Sequence, residues 1–243
     1  METRPMAPVL LCDLDGTLVD TVADLTVALN RLLTERGLGT LPQRRVRGLV
    51  GRGAARLVES GLAEMGGAVG PDGLSACVAR FLEIYEAAPA VHSRPYPGVI
   101  ETLTSLRAAG WRLGVCTNKP QAPSEAILDA FELSPFFEAV GGGDRFPVRK
   151  PDGGHLHATL ELIMGGDAKA ARAVLVGDSR TDLDAARNAR LPVVLVDYGY
   201  TDVPAAELGG DAVISSFAAL PEALEGIVAD GPSTLPRTIP PMQ

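Results

Sequence analysis

Six short apolar runs limit what this chain can fold into. Val9–Cys12, Leu113–Cys116, Ala139–Val140, Ala173–Val176, Val193–Val196 and Ala212–Ile214 each stop at polar or turn-forming residues. From Pro97 onward, segments of helical periodicity lie between them, over 97–109, 124–131, 155–164, 181–189 and 217–228. Short apolar runs of this kind read as strands covered on both faces. Strands alternating with helices need crossovers, which are right-handed and place helices on both sides of a parallel sheet. The fold class is therefore α/β, with a Rossmann-like parallel-sheet core.

Between Leu18 and His92 the texture changes. A helix capped by Asp20 or Thr21 carries Val22, Leu25, Leu29 and Leu32 on one face and stops at Gly37-Leu38-Gly39. Residues 44–50, 53–65 and 74–88 read as further helices, with a loop over 66–73 and no strand. The expected organisation is a core from 1–18 and 93–230 and a small helical cap domain over 19–92, inserted after the first strand. The proline-rich segment 231–243 reads as a flexible tail.

Composition excludes several classes of function. Apolar residues make up 46% of 243, enough for an ample core. The net charge of −8 and the lack of a basic block argue against nucleic-acid and membrane partners. Cys12, Cys77 and Cys116 are odd in number and scattered, which speaks against a disulfide framework and for a reducing, cytoplasmic setting. No apolar run approaches the ~20 residues of a membrane span, and no secretory signal stands in the first eight residues. The expected assembly is a monomer or homodimer.

Chemistry concentrates where the strands end. Asp13 and Asp15 follow the first strand two residues apart, so in extended chain they project the same way. Two carboxylates held together need a cation between them or a shared proton, and Mg²⁺ suits such an oxygen site. Thr117 and Asn118 end the second core strand and offer a hydroxyl, an amide and the Thr117 backbone N–H to phosphoryl oxygens. Lys150, in Val148-Arg149-Lys150-Pro151-Asp152, can reach such an oxygen on its long stem, with Arg149 as competitor. Asp178 follows Val176-Gly177 and suits a metal beside Asp13. Asp182 either orients that cluster or simply favours a helix N-terminus, and Asp184 reads as surface. Taken singly, each motif fits a solvated turn as well. Among the histidines, His92, His155 and His157 show no metal-ligand spacing, and His155 and His157 read as surface residues.

Together, Asp13-Leu14-Asp15-Gly16-Thr17, Thr117-Asn118, Lys150-Pro151 and Gly177-Asp178-Ser179 with Asp182 resemble the four motifs of the haloacid dehalogenase superfamily, in order and at strand ends. Gly48-Leu49-Val50-Gly51-Arg52-Gly53, Tyr96-Pro97-Gly98-Val99 and Cys116-Thr117-Asn118-Lys119-Pro120 are similar to the phosphoglycolate phosphatases within it. Amino-sugar and other sugar phosphatases share much of this, and the fold also houses phosphoglucomutases and inactive binding modules. The resemblance implies an enzyme acting on a small anionic phosphate ester with Mg²⁺. It implies Asp13 as nucleophile and Asp15 as general acid and base. Thr117, Asn118 and Lys150 would bind phosphate, with Thr117 and Lys150 also assisting catalysis. The metal set would be Asp13, Asp15 through its carbonyl, and Asp178, with Asp182 beside them. A dehalogenase has no use for a proton donor at the position of Asp15, which favours phosphate-ester hydrolysis. Arg52, between two glycines at a predicted helix start, is the expected reader of a substrate carboxylate. Cys12 and Cys116, if their thiols met, would be an oxidation-sensitive pair.

Overall fold

The computed structural model describes residues 7–165, 172–201 and 203–229. In chain order it begins with β1 (Val9–Cys12), β2 (Val19–Asp20), α1 (Val22–Glu35), α2 (Gln43–Arg47), α3 (Ala54–Glu64), α4 (Pro71–Glu86) and β3 (Arg94–Pro95). Then come α5 (Val99–Ala108), β4 (Arg112–Cys116), α6 (Gln121–Ala130), β5 (Ala139–Gly141), α7 (Gly153–Met164), β6 (Ala173–Gly177) and α8 (Arg180–Ala189). The last elements are β7 (Val193–Val196), α9 (Ala205–Leu208), β8 (Ala212–Ile214) and α10 (Leu220–Ala229).

Six strands form one sheet in the order β5-β4-β1-β6-β7-β8, and every pairing in it is parallel. This is the α/β core expected from the alternating runs. The connections leave β1 in opposite directions, because β4 lies on one side of it and β6 on the other. Such a switch point opens a crevice at the carboxyl ends of the strands. All four β1 residues are fully buried, so the sheet is covered on both faces. Leu10 and Cys12 pack on one face with Leu103 and Phe217. Val9 and Leu11 pack on the other with Leu156 and Leu183.

Helices α1 to α4 share an apolar cluster of their own. Leu29 and Leu33 of α1 meet Val58 and Leu62 of α3 and Phe81 and Tyr85 of α4. The predicted face of α1 is buried as expected. Between Leu18 and His92, however, the chain is not free of strand. β2 pairs antiparallel with β3 through Val19–Pro95 and Asp20–Arg94. Two-residue strands carry no periodicity, and their ladder exists only because the chain leaves and re-enters the sheet side by side. α4 starts at Pro71, a residue suited to a first helical turn, rather than at Leu74. A 3₁₀ turn over Phe217–Ala219 precedes α10, and α9 carries too few residues for a periodic signal.

Two further expectations change. Thr21 stands at the start of α1, but its hydroxyl does not cap the helix. Asp20, the other expected cap, accepts the Val22 N–H at 3.4 Å, and the phenolic oxygen of Tyr200 accepts the Thr21 and Val22 N–H groups at 2.6 and 3.1 Å. Cys12 is opposite Val115 in the ladder, so Cys116 is one residue out of phase and belongs to the other apolar face. The two thiols therefore do not meet. Segment 231–243 lies outside the described residues, among which no helix is long and apolar enough to cross a membrane.

The seam between α7 and α8 leaves no room at Gly153. A Cβ there would lie 2.5 Å from the Ala189 backbone nitrogen, and backbone cannot yield cheaply. Gly153→Ala should therefore lower stability by about 1–3 kcal/mol. The measurement is urea denaturation, with a lower midpoint at an unchanged slope.

Candidate active site

The carboxyl ends of β1, β4 and β6, with the connection from β5 to α7, bring the sequence-predicted acids, amide and lysine together. Asp13 continues β1 by one hydrogen bond, from its N–H to the Val176 carbonyl at 2.9 Å. Gly16 then turns the chain at φ +84°, with its N–H on the Val19 carbonyl. A Cβ at Gly16 would lie 2.5 Å from Asp178 Oδ2, so glycine both permits the turn and leaves space for the neighbouring carboxylate. Asp13, Asp178 and Asp182 are buried, and one carboxylate oxygen from each lies within 4.8 Å of the others.

Lys150 fits into this acidic cluster and is 3% exposed, not a solvated loop residue. Its ammonium lies 2.6 Å from Asp182 Oδ1 and 3.0 Å from Asp13 Oδ1. Burial opposes its charge, but Asp13 and then Asp182 more than compensate and hold it protonated. Burial also pushes the Asp13 carboxyl up to about 6, while Lys150 draws it back. Asp178 is raised well above the usual carboxylate range, first by burial and then by Asp182 and Asp13. Asp178 Oδ2 accepts the Tyr200 N–H at 2.6 Å. Arg149, the competing cation, is exposed.

Asp182 has both oxygens engaged. Oδ2 accepts from the N–H and hydroxyl of Ser179, closing a capping box at the start of α8. Oδ1 holds Lys150. The two readings left open by the sequence are thus both true of one side chain: it caps the helix and fixes the lysine.

The peptide group of Lys150 is held from both sides. Asn118 Nδ2 donates to its carbonyl at 2.9 Å, and to the Gly51 carbonyl at 3.2 Å. His155 Nδ1 accepts its N–H at 3.1 Å, while Nε2 faces the Gly141 carbonyl at 3.1 Å. His155 is thus fully buried, contrary to its surface reading. Gly153 and Gly154 before it carry no side chain that would mark the turn as facing inward. The Thr117 N–H also departs from expectation: it donates to the Gly141 carbonyl at 3.0 Å and extends the ladder to β5. Thr117 is buried and lines the cavity above the acids.

The helical insert also lines that cavity. Gly51 and Gly53 line it, but Arg52 between them is exposed and does not. Positive φ angles at both glycines set the loop backbone, rather than the arginine, against the cavity. A buried cation at the site that is not among the sequence-predicted residues is Lys119. It lies directly after Thr117-Asn118 and looked like part of a turn before Pro120. It is 6% exposed, with its ammonium 3.1 Å from Asp15 Oδ1. Asp15 also accepts the Thr21 hydroxyl at 2.6 Å.

Residues 10–196 match the family model described as haloacid dehalogenase-like hydrolase. A phosphoglycolate phosphatase of Caulobacter vibrioides is 48% identical over 221 residues, covering 91% of this chain and 92% of that protein. One from Agrobacterium fabrum is 43% identical over 232 residues, covering 95% and 98%. The crystal structure of a predicted phosphoglycolate phosphatase from Haemophilus somnus superimposes with a TM-score of 0.80 at 30% identity, covering 90% of this chain and 98% of that one.

His155 makes acid stability a readout of the Lys150 loop. Burial, then the charge of Lys150, lowers it from 6.5 to about 4. The folded state thus keeps the ring neutral where the unfolded chain would protonate it. The stability it contributes is full above pH 6.5 and is lost as pH falls towards 4, up to about 3 kcal/mol. Denaturant titrations across that window should show a shallower loss for His155→Gln than for the wild type; parallel profiles would refute the assignment.

Proposed function

The chain belongs to the haloacid dehalogenase-like hydrolases and is a phosphoric monoester hydrolase; from that premise we propose that it cleaves 2-phosphoglycolate to glycolate and phosphate through an aspartyl-phosphate on Asp13, with Mg²⁺. One observation carries the reading: the carboxylates of Asp13, Asp178 and Asp182 come together at the strand ends, Asp15 stands two residues beyond Asp13, and among the described residues Lys119 and Lys150 are the buried cations that pair with them. Crowding and burial raise the Asp13 and Asp178 carboxyls, a cost that a divalent cation between them would relieve. The donors are hard oxygens, the kind Mg²⁺ takes. The carboxylates of Asp13 and Asp178 and the carbonyl of Asp15 would hold it. When bound, it would neutralise charge between the nucleophile and the phosphoryl group. Asp182, with both oxygens committed, supports Lys150 rather than the ion.

In the proposed reaction an Asp13 oxygen attacks phosphorus and the ester P–O bond breaks. Asp15 gives its proton to the leaving oxygen. It then takes a proton from the water that attacks the phospho-aspartate, which releases phosphate and restores Asp13. Lys150, Thr117 and Asn118 bind or position the phosphoryl oxygens. The helical insert, residues 19–92 as read from the sequence, acts as the lid that excludes other water.

The lid contributes Leu25, Val50, Ala54, Leu57, Phe81 and Leu82 to the cavity, and Tyr85, whose hydroxyl already accepts from Lys119. Apart from that hydroxyl these side chains offer no hydrogen bonds to sugar hydroxyls, which supports a short substrate over a hexose or amino-sugar phosphate. The relatives named as phosphoglycolate phosphatases support the same choice.

Purified enzyme assayed with Mg²⁺ should favour 2-phosphoglycolate over hexose phosphates, amino-sugar phosphates and nucleotides; a flat profile would reject the substrate. Asp13→Asn should lower kcat by about 10⁴-fold or more and abolish the phosphorylated peptide seen by mass spectrometry. Mg²⁺ should raise the melting temperature of the wild type but not of Asp178→Asn, a readout independent of turnover.

A further inference from the structure

The chemistry above leaves Lys119 without a task. Its ammonium lies 3.1 and 3.3 Å from the two oxygens of Asp15 and 2.9 Å from the Tyr85 hydroxyl. It also stands over the Tyr85 ring, 4.3 Å from the centroid. Among the described residues that line the cavity, it is the only cation. Burial works against its charge, and Asp15 and then Tyr85 overcome that cost, keeping it protonated above its ordinary range. Asp15 and Thr117 flank it on the core side, and Tyr85 comes down from α4 of the insert.

The demands of a carboxylated ester meet this arrangement. In 2-phosphoglycolate a single methylene separates the ester oxygen from the carboxylate. The carboxylate must therefore sit beside the group that faces the leaving oxygen, in a cavity that already holds Asp13 and Asp15. Like charges that close are repelled unless a cation stands between them. Arg52 is exposed and outside the lining, so it does not supply that cation.

We propose that Lys119 reads the substrate's carboxylate. On binding, its ammonium exchanges the Asp15 carboxylate for that of the substrate and keeps its contact with Tyr85. The exchange hands Asp15 over to the leaving oxygen, so a substrate lacking the carboxylate leaves Asp15 tied down. Selection and assembly of the site are then one event. The inference rests on the reading of the chain as a 2-phosphoglycolate phosphatase and assigns the specificity of that same site.

The test compares kcat/KM for 2-phosphoglycolate and ethyl phosphate, which lacks the carboxylate, in wild type, Lys119→Met and Lys119→Gln. The wild type should prefer 2-phosphoglycolate. In either variant kcat/KM for 2-phosphoglycolate should fall by about 10²–10³-fold, with KM raised, and for ethyl phosphate by less than about tenfold. Lys119→Gln can still donate to Asp15 and Tyr85, and carries the same expectation should Lys119→Met fail to fold. A preference that survives in the variants, or equal losses on both esters, would overturn the role of Lys119 while leaving the substrate assignment intact. No preference in the wild type would overturn the substrate assignment and the inference together.

Discussion

The pairing of Lys150 with Asp13 and Asp182 is the interaction on which the rest of the site depends. Three charged groups are taken out of water at the end of the central strands, a placement that is unfavourable unless each finds its counterpart. The geometry of the loop before α7 follows from that requirement. His155 and Asn118 fix the peptide of Lys150 on either side, and Asp182 fixes its ammonium. Since His155 also bonds to the end of β5 and Asp182 caps α8, the lysine is bound to the sheet and to a helix at once.

Much of this was legible in the sequence because it follows from periodicity. The core strands and the helices between them announce themselves by apolar runs and by turns, and the acids stand where strands must end. The face of α1 was equally plain, since Val22, Leu25, Leu29 and Leu32 repeat at helical spacing. What escaped was whatever depends on contacts distant in sequence. β2 and β3 are two residues each and exist only through one another. The burial of His155 is not legible because its partners are backbone groups of Lys150 and Gly141, which no side-chain pattern marks. The pairing of Lys119 is invisible locally because its partners, Asp15 and Tyr85, lie 104 and 34 residues away.

Arg52 and Thr117 show the complementary limit. A motif can name a residue without fixing which of its groups is free. Thr117 lies in the cavity, yet its N–H is already committed to the sheet. Arg52 lies in the loop that lines the cavity, yet its side chain stays outside. Backbone hydrogen bonding decides the first case and the two positive-φ glycines the second.

The short ladder between β2 and β3 has a consequence beyond the site. The chain departs from the sheet and comes back through neighbouring positions, with Asp24 accepting the N–H groups of His92 and Ser93 to tie the two ends. A segment joined through one doorway behaves as a cassette. Its length and sequence can change without altering the register of β1, but a foreign lobe grafted between the same two gateposts would have to replace what Thr21, Arg47, Gly51 and Tyr85 give to Asp15, Tyr198, Asn118 and Lys119.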